Sequence, residues 1–209
     1  MPTFSTTVAG PMKIRLSRPS DGAQIAAIYA PFCGDSPVSF EIAPPDAAEM
    51  CARMEKISRR FPWLVAEENG VIAGYVYASP HRERAAYRWS ADVTVYMHER
   101  LRRRGIGRAL YTSLFALLRL QGYCKAYAGV TVPNPASTGL HTAMGFELVG
   151  IYRGVGYKCG AWHDVAWYDL ALQTLPDPPP EPRAFPDVFG SPKSLEALRS
   201  GERLFKPAS

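Results

Sequence analysis

"RRRGIGRAL", residues 102–110, joins a strand-like stretch (Asp92 to Met97) to an amphipathic helix, and its reading sets that of the whole chain. Four arginines, Arg102, Arg103, Arg104 and Arg108, crowd the start of that helix. A helix N-terminus carries partial positive charge, so cations there are unfavourable. No Ser, Thr, Asp or Asn stands just before the turn to cap it. Gly105 and Gly107 let the backbone approach an anion closely, and the bare N–H groups then point at it. A pyrophosphate supplies the missing cap and the counter-charge together. The competing reading is a solvated basic helix start whose glycines only serve the turn. The segment is not a Walker loop, because no Gly-Lys-Ser/Thr follows, and it is not the GxGxxG dinucleotide pattern either.

Outward from this turn, the 209 residues suit one domain, or one domain with a tail, and an apolar fraction of 47% can build a core. No apolar run is long enough to cross a bilayer, and residues 1–11 read as a loose lead-in without the pattern of a secretory signal. A soluble cytoplasmic protein is expected. Cys33, Cys51, Cys124 and Cys159 are far apart and form no metal-ligand pair, so free thiols and no metal are expected. The net charge of +5 favours anionic partners without choosing among them. Nucleic acid is not an expected partner, since no recognition helix or aromatic platform accompanies the basic stretch. A membrane is not expected either.

The core spans residues 12–175. KIRLSRP alternates as a strand, and SDGAQIAAIYAPF has helical spacing at Ile25, Ile28, Tyr29 and Phe32. Residues 45–60 give a second helix pattern. PWLVAEENGVIAGYVYAS reads as two strands about an Asn-Gly turn. SADVTVYMHE is a strand, Gly105 to Gln121 a helix with Leu110, Leu114, Leu117 and Leu118 on one face, AYAGVTV a strand and PASTGLHTAM a short helix. Two strands close the series near 146–157 and 162–172. The order β-α-α-β-β-β-α-β-α-β-β makes a mixed α/β sheet with helices on its faces. Residues 176–209 begin with Pro176, Pro178, Pro179, Pro180 and Pro182, which forbid regular helix. They read as a disordered or surface-draped extension, with one marginal helix in SLEALRSGERLF.

R-x-x-G-x-G after a V-x-V strand and before an amphipathic helix resembles the acetyl-CoA pyrophosphate loop of the GNAT N-acetyltransferases. Asn134-Pro135-Ala136-Ser137, then Leu140-His141 and Gly145-Phe146, resembles a second feature of that family. VSFE at 38–41, AYRWSADVTVY at 86–96 and GYKCGAWHDV at 156–165 are similar to its phosphinothricin and methionine sulfoximine N-acetyltransferase group. The resemblance implies the GNAT fold, with a mostly antiparallel central sheet. It implies acetyl-CoA as co-substrate, a small amine or amino-acid acceptor, and a homodimer. Transfer would be direct, in a ternary complex. A polyamine, antibiotic or peptide N-terminus as acceptor, or a CoA-binding module without catalysis, are the alternatives.

The resemblance also implies a site. Val95, Tyr96 and Met97, the loop residues Arg102, Arg103, Arg104, Gly105, Ile106, Gly107 and Arg108, and Asn134 and Ser137 would hold the cofactor. Asn134 is equally a sound helix N-cap with Pro135 behind it. Asp92 and His141 are the acid–base candidates. Asp92 stands where the group has a Glu, one methylene longer. His141 can protonate a thiolate as imidazolium or accept a proton as imidazole, with a reference pKa of roughly 6.5. Phe40, Arg82, Arg84, Tyr87 and Tyr96 would line the acceptor pocket, the arginine forks suiting a carboxylate or phosphinate. His81 sits where the group often has Trp.

Overall fold

The computed structural model describes residues 10–101 and 103–206. β1 (Lys13–Leu16), α1 (Gly22–Tyr29), α2 (Ala47–Ser58), β2 (Trp63–Glu68), β3 (Val71–Pro80), β4 (Ser90–Met97), α3 (Ile106–Gln121), β5 (Lys125–Val132), α4 (Pro135–Ala143), β6 (Glu147–Lys158) and β7 (Ala161–Ala171) follow in the expected order. They form one seven-stranded sheet ordered β1-β2-β3-β4-β5-β7-β6. Every neighbouring pair is antiparallel except β4–β5. The Asn-Gly turn joins β2 to β3 with both residues at positive φ, 52° for Asn69 and 79° for Gly70, the backbone that matches strand twist in a tight hairpin.

Side chains alternate across a strand, so each strand feeds two cores. On one face Leu64, Val76 and Val93 pack under Leu110, Leu114 and Leu118 of α3. On the other, Trp63, Val65 and Tyr75 pack under Ile25 and Tyr29 of α1 and Met50 and Met54 of α2. Asp46 caps α2 by accepting from the Glu49 N–H at 2.8 Å. The sheet is divided at its only parallel junction. β4 pairs with β5 over Ser90–Asp92 and Lys125–Tyr127, and beyond Asp92 and Tyr127 the two strands part.

The extension is not the disordered or surface-draped tail that its prolines suggest. Its extended first part is tied to the body: Trp89 Nε1 donates to the Pro180 carbonyl at 2.7 Å, and Gln121 Nε2 donates to the Arg183 carbonyl at 2.9 Å. Two helices follow, α5 (Phe185–Val188) and α6 (Pro192–Arg199). Phe185, Val188, Ala197 and Leu198 are buried in the α3 core. Gly201 lies so close to α3 that a Cβ there would fall 1.9 Å from the Ala109 carbonyl oxygen, and its N–H donates to the buried Ser113 Oγ at 3.1 Å. The Ile14 N–H of edge strand β1 donates to Glu202 Oε1 at 2.8 Å. Proline fixes φ but does not prevent an extended segment from carrying apolar side chains back to a helix face that needs cover.

Phe185→Ala is expected to cost about 3 kcal/mol of stability, the cost of emptying a buried aromatic site. A chain ending at residue 175 should lose more, because the α3 face is uncovered with it. Denaturant midpoints measure both, and a truncated chain as stable as the full one would refute the packing role.

Candidate active site

Helix α3 begins at Gly105, which takes the left-handed φ of 76° and supplies no side-chain cap. Its first helical bond runs from the Ala109 N–H to the Gly105 carbonyl at 2.9 Å. The N–H groups of Ile106, Gly107 and Arg108 precede that bond and end the helix with its positive pole open. Glycine is required at 105 twice over, by φ and by contact, since a Cβ would fall 2.2 Å from the Leu204 carbonyl oxygen. Gly107 lies against Met97 and Leu140, which settles Met97 into packing under the loop. Ile106 is buried, whereas Arg103 and Arg108 are exposed. Arg104 has a different partner from the expected one. Its guanidinium makes a two-point ion pair with Glu68, at 2.7 and 2.8 Å, which pulls the Glu68 carboxyl below its usual range. Arg102 lies outside the described residues.

The parting of β4 from β5 opens a cleft of about 110 Å³ lined by Val38, Thr94, Val95, Tyr96, Tyr111 and His141, with Asn134 and Ser137 at its rim. The β4 backbone from Val93 to Met97 bonds to β3 on one edge and faces this space on the other. Asn134 caps α4, its Oδ1 accepting from the Ser137 N–H at 3.1 Å, which leaves its amide nitrogen to the cleft side of the account. Tyr96 is held in an aromatic cluster, 4.8 Å from Tyr29 and 4.9 Å from Phe32 between ring centroids.

His141 is buried, and its two nitrogens have distinct partners. Nδ1 lies 2.8 Å from the Ser137 carbonyl, which can only accept, so Nδ1 carries the hydrogen. Nε2 then accepts from the Tyr111 hydroxyl at 3.0 Å. Burial pushes the imidazole below its ordinary value, so it is neutral near pH 7. Burial pushes the Tyr111 phenol up. Of the two roles open to His141 in the sequence, the imidazolium acid is therefore disfavoured. Tyr111, on an apolar helix face, carries a core signature in the sequence and no other.

At the last β4–β5 pair, where the two strands part, Asp92 Oδ1 lies 2.6 Å from His81 Nδ1. Burial raises the Asp92 carboxyl above its usual value, and His81 and then Arg82 act against that rise. Arg82 donates to the His81 carbonyl at 2.7 Å, and its guanidinium lies 5.4 Å from the Trp167 ring centroid. Arg82, Arg84 and Tyr87 line a hollow of about 310 Å³ together with Arg60, Arg88 and Ser90. Phe40 sits apart from these, its ring over Gly156 and 6.5 Å from that of His163. Its loop is pinned from both sides. The buried Lys158 ammonium donates to the Ser39 and Glu41 carbonyls at 2.6 and 2.8 Å, and Arg53 donates to both Glu41 carboxylate oxygens at 2.6 and 3.0 Å. Among the described residues no group of three His, Cys, Asp or Glu side chains is placed to hold a metal ion.

A sheet split at its parallel junction, with an open helix start at the mouth of the split, is the frame of an acyltransferase that reaches its substrate through the sheet. Residues 14–167 match the family model described as acetyltransferase (GNAT) domain, and the chain belongs to the GNAT acetyltransferase family. It is 38% identical over 169 residues to phosphinothricin N-acetyltransferase of Streptomyces viridochromogenes, covering 81% of this chain and 92% of that one. It is 32% identical to the L-methionine sulfoximine/L-methionine sulfone acetyltransferase of Pseudomonas paraeruginosa, over 76% of this chain and 94% of that one. Among solved structures, a phosphinothricin acetyltransferase from Sinorhizobium meliloti in complex with AcCoA aligns with a TM-score of 0.76 and 31% identity, over 86% of this chain and 98% of that one.

The depressed His141 value has a consequence for stability. The unfolded chain binds this proton more readily than the folded one, so stability is complete above the unfolded pKa, roughly 6.5, and falls as pH drops from there through the lower folded value. His141→Gln is expected to flatten that limb. Unfolding free energies between about pH 7.5 and 5 measure it, above the window in which carboxylates titrate.

Proposed function

We propose that this enzyme moves the acetyl group of acetyl-CoA directly onto the α-amino group of a small amino acid or analogue with a second anionic or polar group. Phosphinothricin and methionine sulfoximine are acceptors of this type. The observation that carries the reading is the cleft that opens between β4 and β5 beyond Asp92, with the uncapped start of α3 following β4 and a hollow of mixed charge at Arg82 and Arg84. The relatives that bear those acceptors' names support it.

The fit to acetyl-CoA rests on the open N–H groups of Ile106, Gly107 and Arg108, with Arg103 and Arg108 beside them and Arg102 in the same loop. These receive the pyrophosphate. Arg104 supports the loop through Glu68 instead of touching phosphate. The pantetheine arm follows the free edge of β4 at Val95, Tyr96 and Met97, with Asn134 and Ser137 opposite. A β4 backbone N–H near Val95 and Tyr96 donates to the oxyanion as the amine attacks the thioester carbonyl. The acceptor ammonium must first lose a proton, having a pKa near that of other amines, about 10 for lysine, and it does so at the Asp92 end. The departing sulfur takes its proton at the Tyr111–His141 end of the cleft, the Tyr111 hydroxyl turning from His141 Nε2 to donate to it. Arg82 and Arg84 bind the acceptor's anionic group. Tyr87 walls the acceptor hollow and Tyr96 the cleft, with Phe40 on a separate loop over Gly156. Within the chain, residues 12–175 form the acetyltransferase domain, 1–11 a lead-in and 176–209 an extension that braces it.

Two further assignments accompany this reading. The working form is a homodimer, with the β6–β7 ribbon as the contact. Leu148, Tyr152, Tyr157 and Trp162 are all more than half exposed along it, an apolar band that a partner would cover. The compartment is the cytoplasm, consistent with four unpaired cysteines.

Purified protein with acetyl-CoA and a panel of amines, followed by release of free thiol, tests the proposal. Turnover is expected with α-amino acid analogues in preference to polyamines, and no turnover of any such analogue would sink it. CoA at about a hundredfold over its Kd should add about 2.7 kcal/mol of stability. Arg82→Ala should raise the acceptor KM by about tenfold, the effect of one charge-assisted contact, with the acetyl-CoA KM unchanged. Tyr111→Phe should lower kcat by about 10²-fold.

A further inference from the structure

We propose that His81 and Asp92 form a base dyad in which the His81 Nε2 atom takes the proton from the acceptor ammonium and Asp92 orients the ring. The inference rests on the amine-acetylation reading above and names the atom that does its first step. Asp92 is the last residue of β4 that pairs with β5, at the point where the sheet opens. One of its oxygens already faces His81 Nδ1 at 2.6 Å. The His81 ring is held on three further sides. It stacks on Tyr127 with centroids 4.2 Å apart, and meets Tyr87 and Trp167 edge-on at 5.9 and 6.2 Å. A ring clamped in this way presents its Nε2 edge away from the carboxylate.

The carboxylate fixes the hydrogen on Nδ1 and leaves the Nε2 lone pair as the acceptor. The groups facing the ring are Asp92 from β4, Tyr127 from β5, Trp167 from β7, Tyr87 from the turn between β3 and β4, and Arg82 bonded to the His81 carbonyl. The step balances as follows. One ammonium proton passes to Nε2, directly or through one water, and the freed amine forms the new C–N bond. The C–S bond then breaks, the sulfur takes a second proton from the acetylated nitrogen through the Tyr111 end, and imidazolium returns its proton to solvent. Asp92 is a positioning residue, and His81 is the base.

Two measurements on the full chain test this. Nitrogen NMR of histidine-labelled protein reads each tautomer without substrate. His81 is expected as the Nδ1–H form in the wild type and to lose that preference in Asp92→Asn; an Nε2–H or mixed His81 in the wild type overturns the pairing. The second is kcat/KM against pH for an amine that the wild type turns over. His81→Gln should lose about 10²-fold and its acid limb. Asp92→Asn should lower kcat/KM by less than His81→Gln does, since it disturbs the ring's orientation and leaves the base in place. A CoA-induced thermal shift in both variants confirms that they are folded. His81→Gln within about threefold of wild type, with the acid limb unmoved, overturns the base role. If His81 is the Nδ1–H form but the wild type turns over no amine, the acetylation reading falls and takes the base role with it.

Discussion

The parting of β4 from β5 is the constraint on which the rest depends. Two parallel strands that stay paired for three residues and then separate leave a row of β4 peptide groups without a ladder partner. Such groups are costly to bury unmade, and a sheet would ordinarily close over them. Here α3 and α4 stand on one face and hold the gap open, with Tyr111 and His141 lining it. Every functional assignment then follows from position along that gap. In the proposed reading, phosphate binds at the open start of α3, acyl transfer takes place beside the free strand edge, and the amine loses its proton near Asp92.

The two ends differ in electrostatics as well as place. At His141, burial acts without a compensating charge, and the imidazole and phenol are both kept neutral. At Asp92, burial raises the carboxyl while a neighbouring imidazole and a guanidinium act against that rise. A reaction that must strip a proton at one end and supply one at the other is served by this asymmetry. Uniform burial would have neutralised both ends.

Much of this was legible in the residues. The element order was readable because each strand and helix of the core keeps its own period, and the uncapped arginine turn because its defects were local. Asp92, His141 and Asn134 were singled out through motif context. What the chain alone could not display was pairing at a distance. Arg104 reads as one of four equivalent loop cations, yet Glu68, 36 residues earlier, holds it. Tyr111 reads as core because its hydroxyl partner comes from another helix. His81 was noticed only as an odd residue in its slot, since nothing local ties it to Asp92. Phe185 and Leu198 were hidden for a different reason, being too sparse among prolines and charges to show a period.

The bond from Ile14 to Glu202 spans 188 residues, and Lys206 donates to the Arg104 carbonyl at 3.0 Å. The loop at 103–108 is therefore braced from a segment made almost a hundred residues later. Closing so distant a contact carries a loop-entropy cost that the local helices do not.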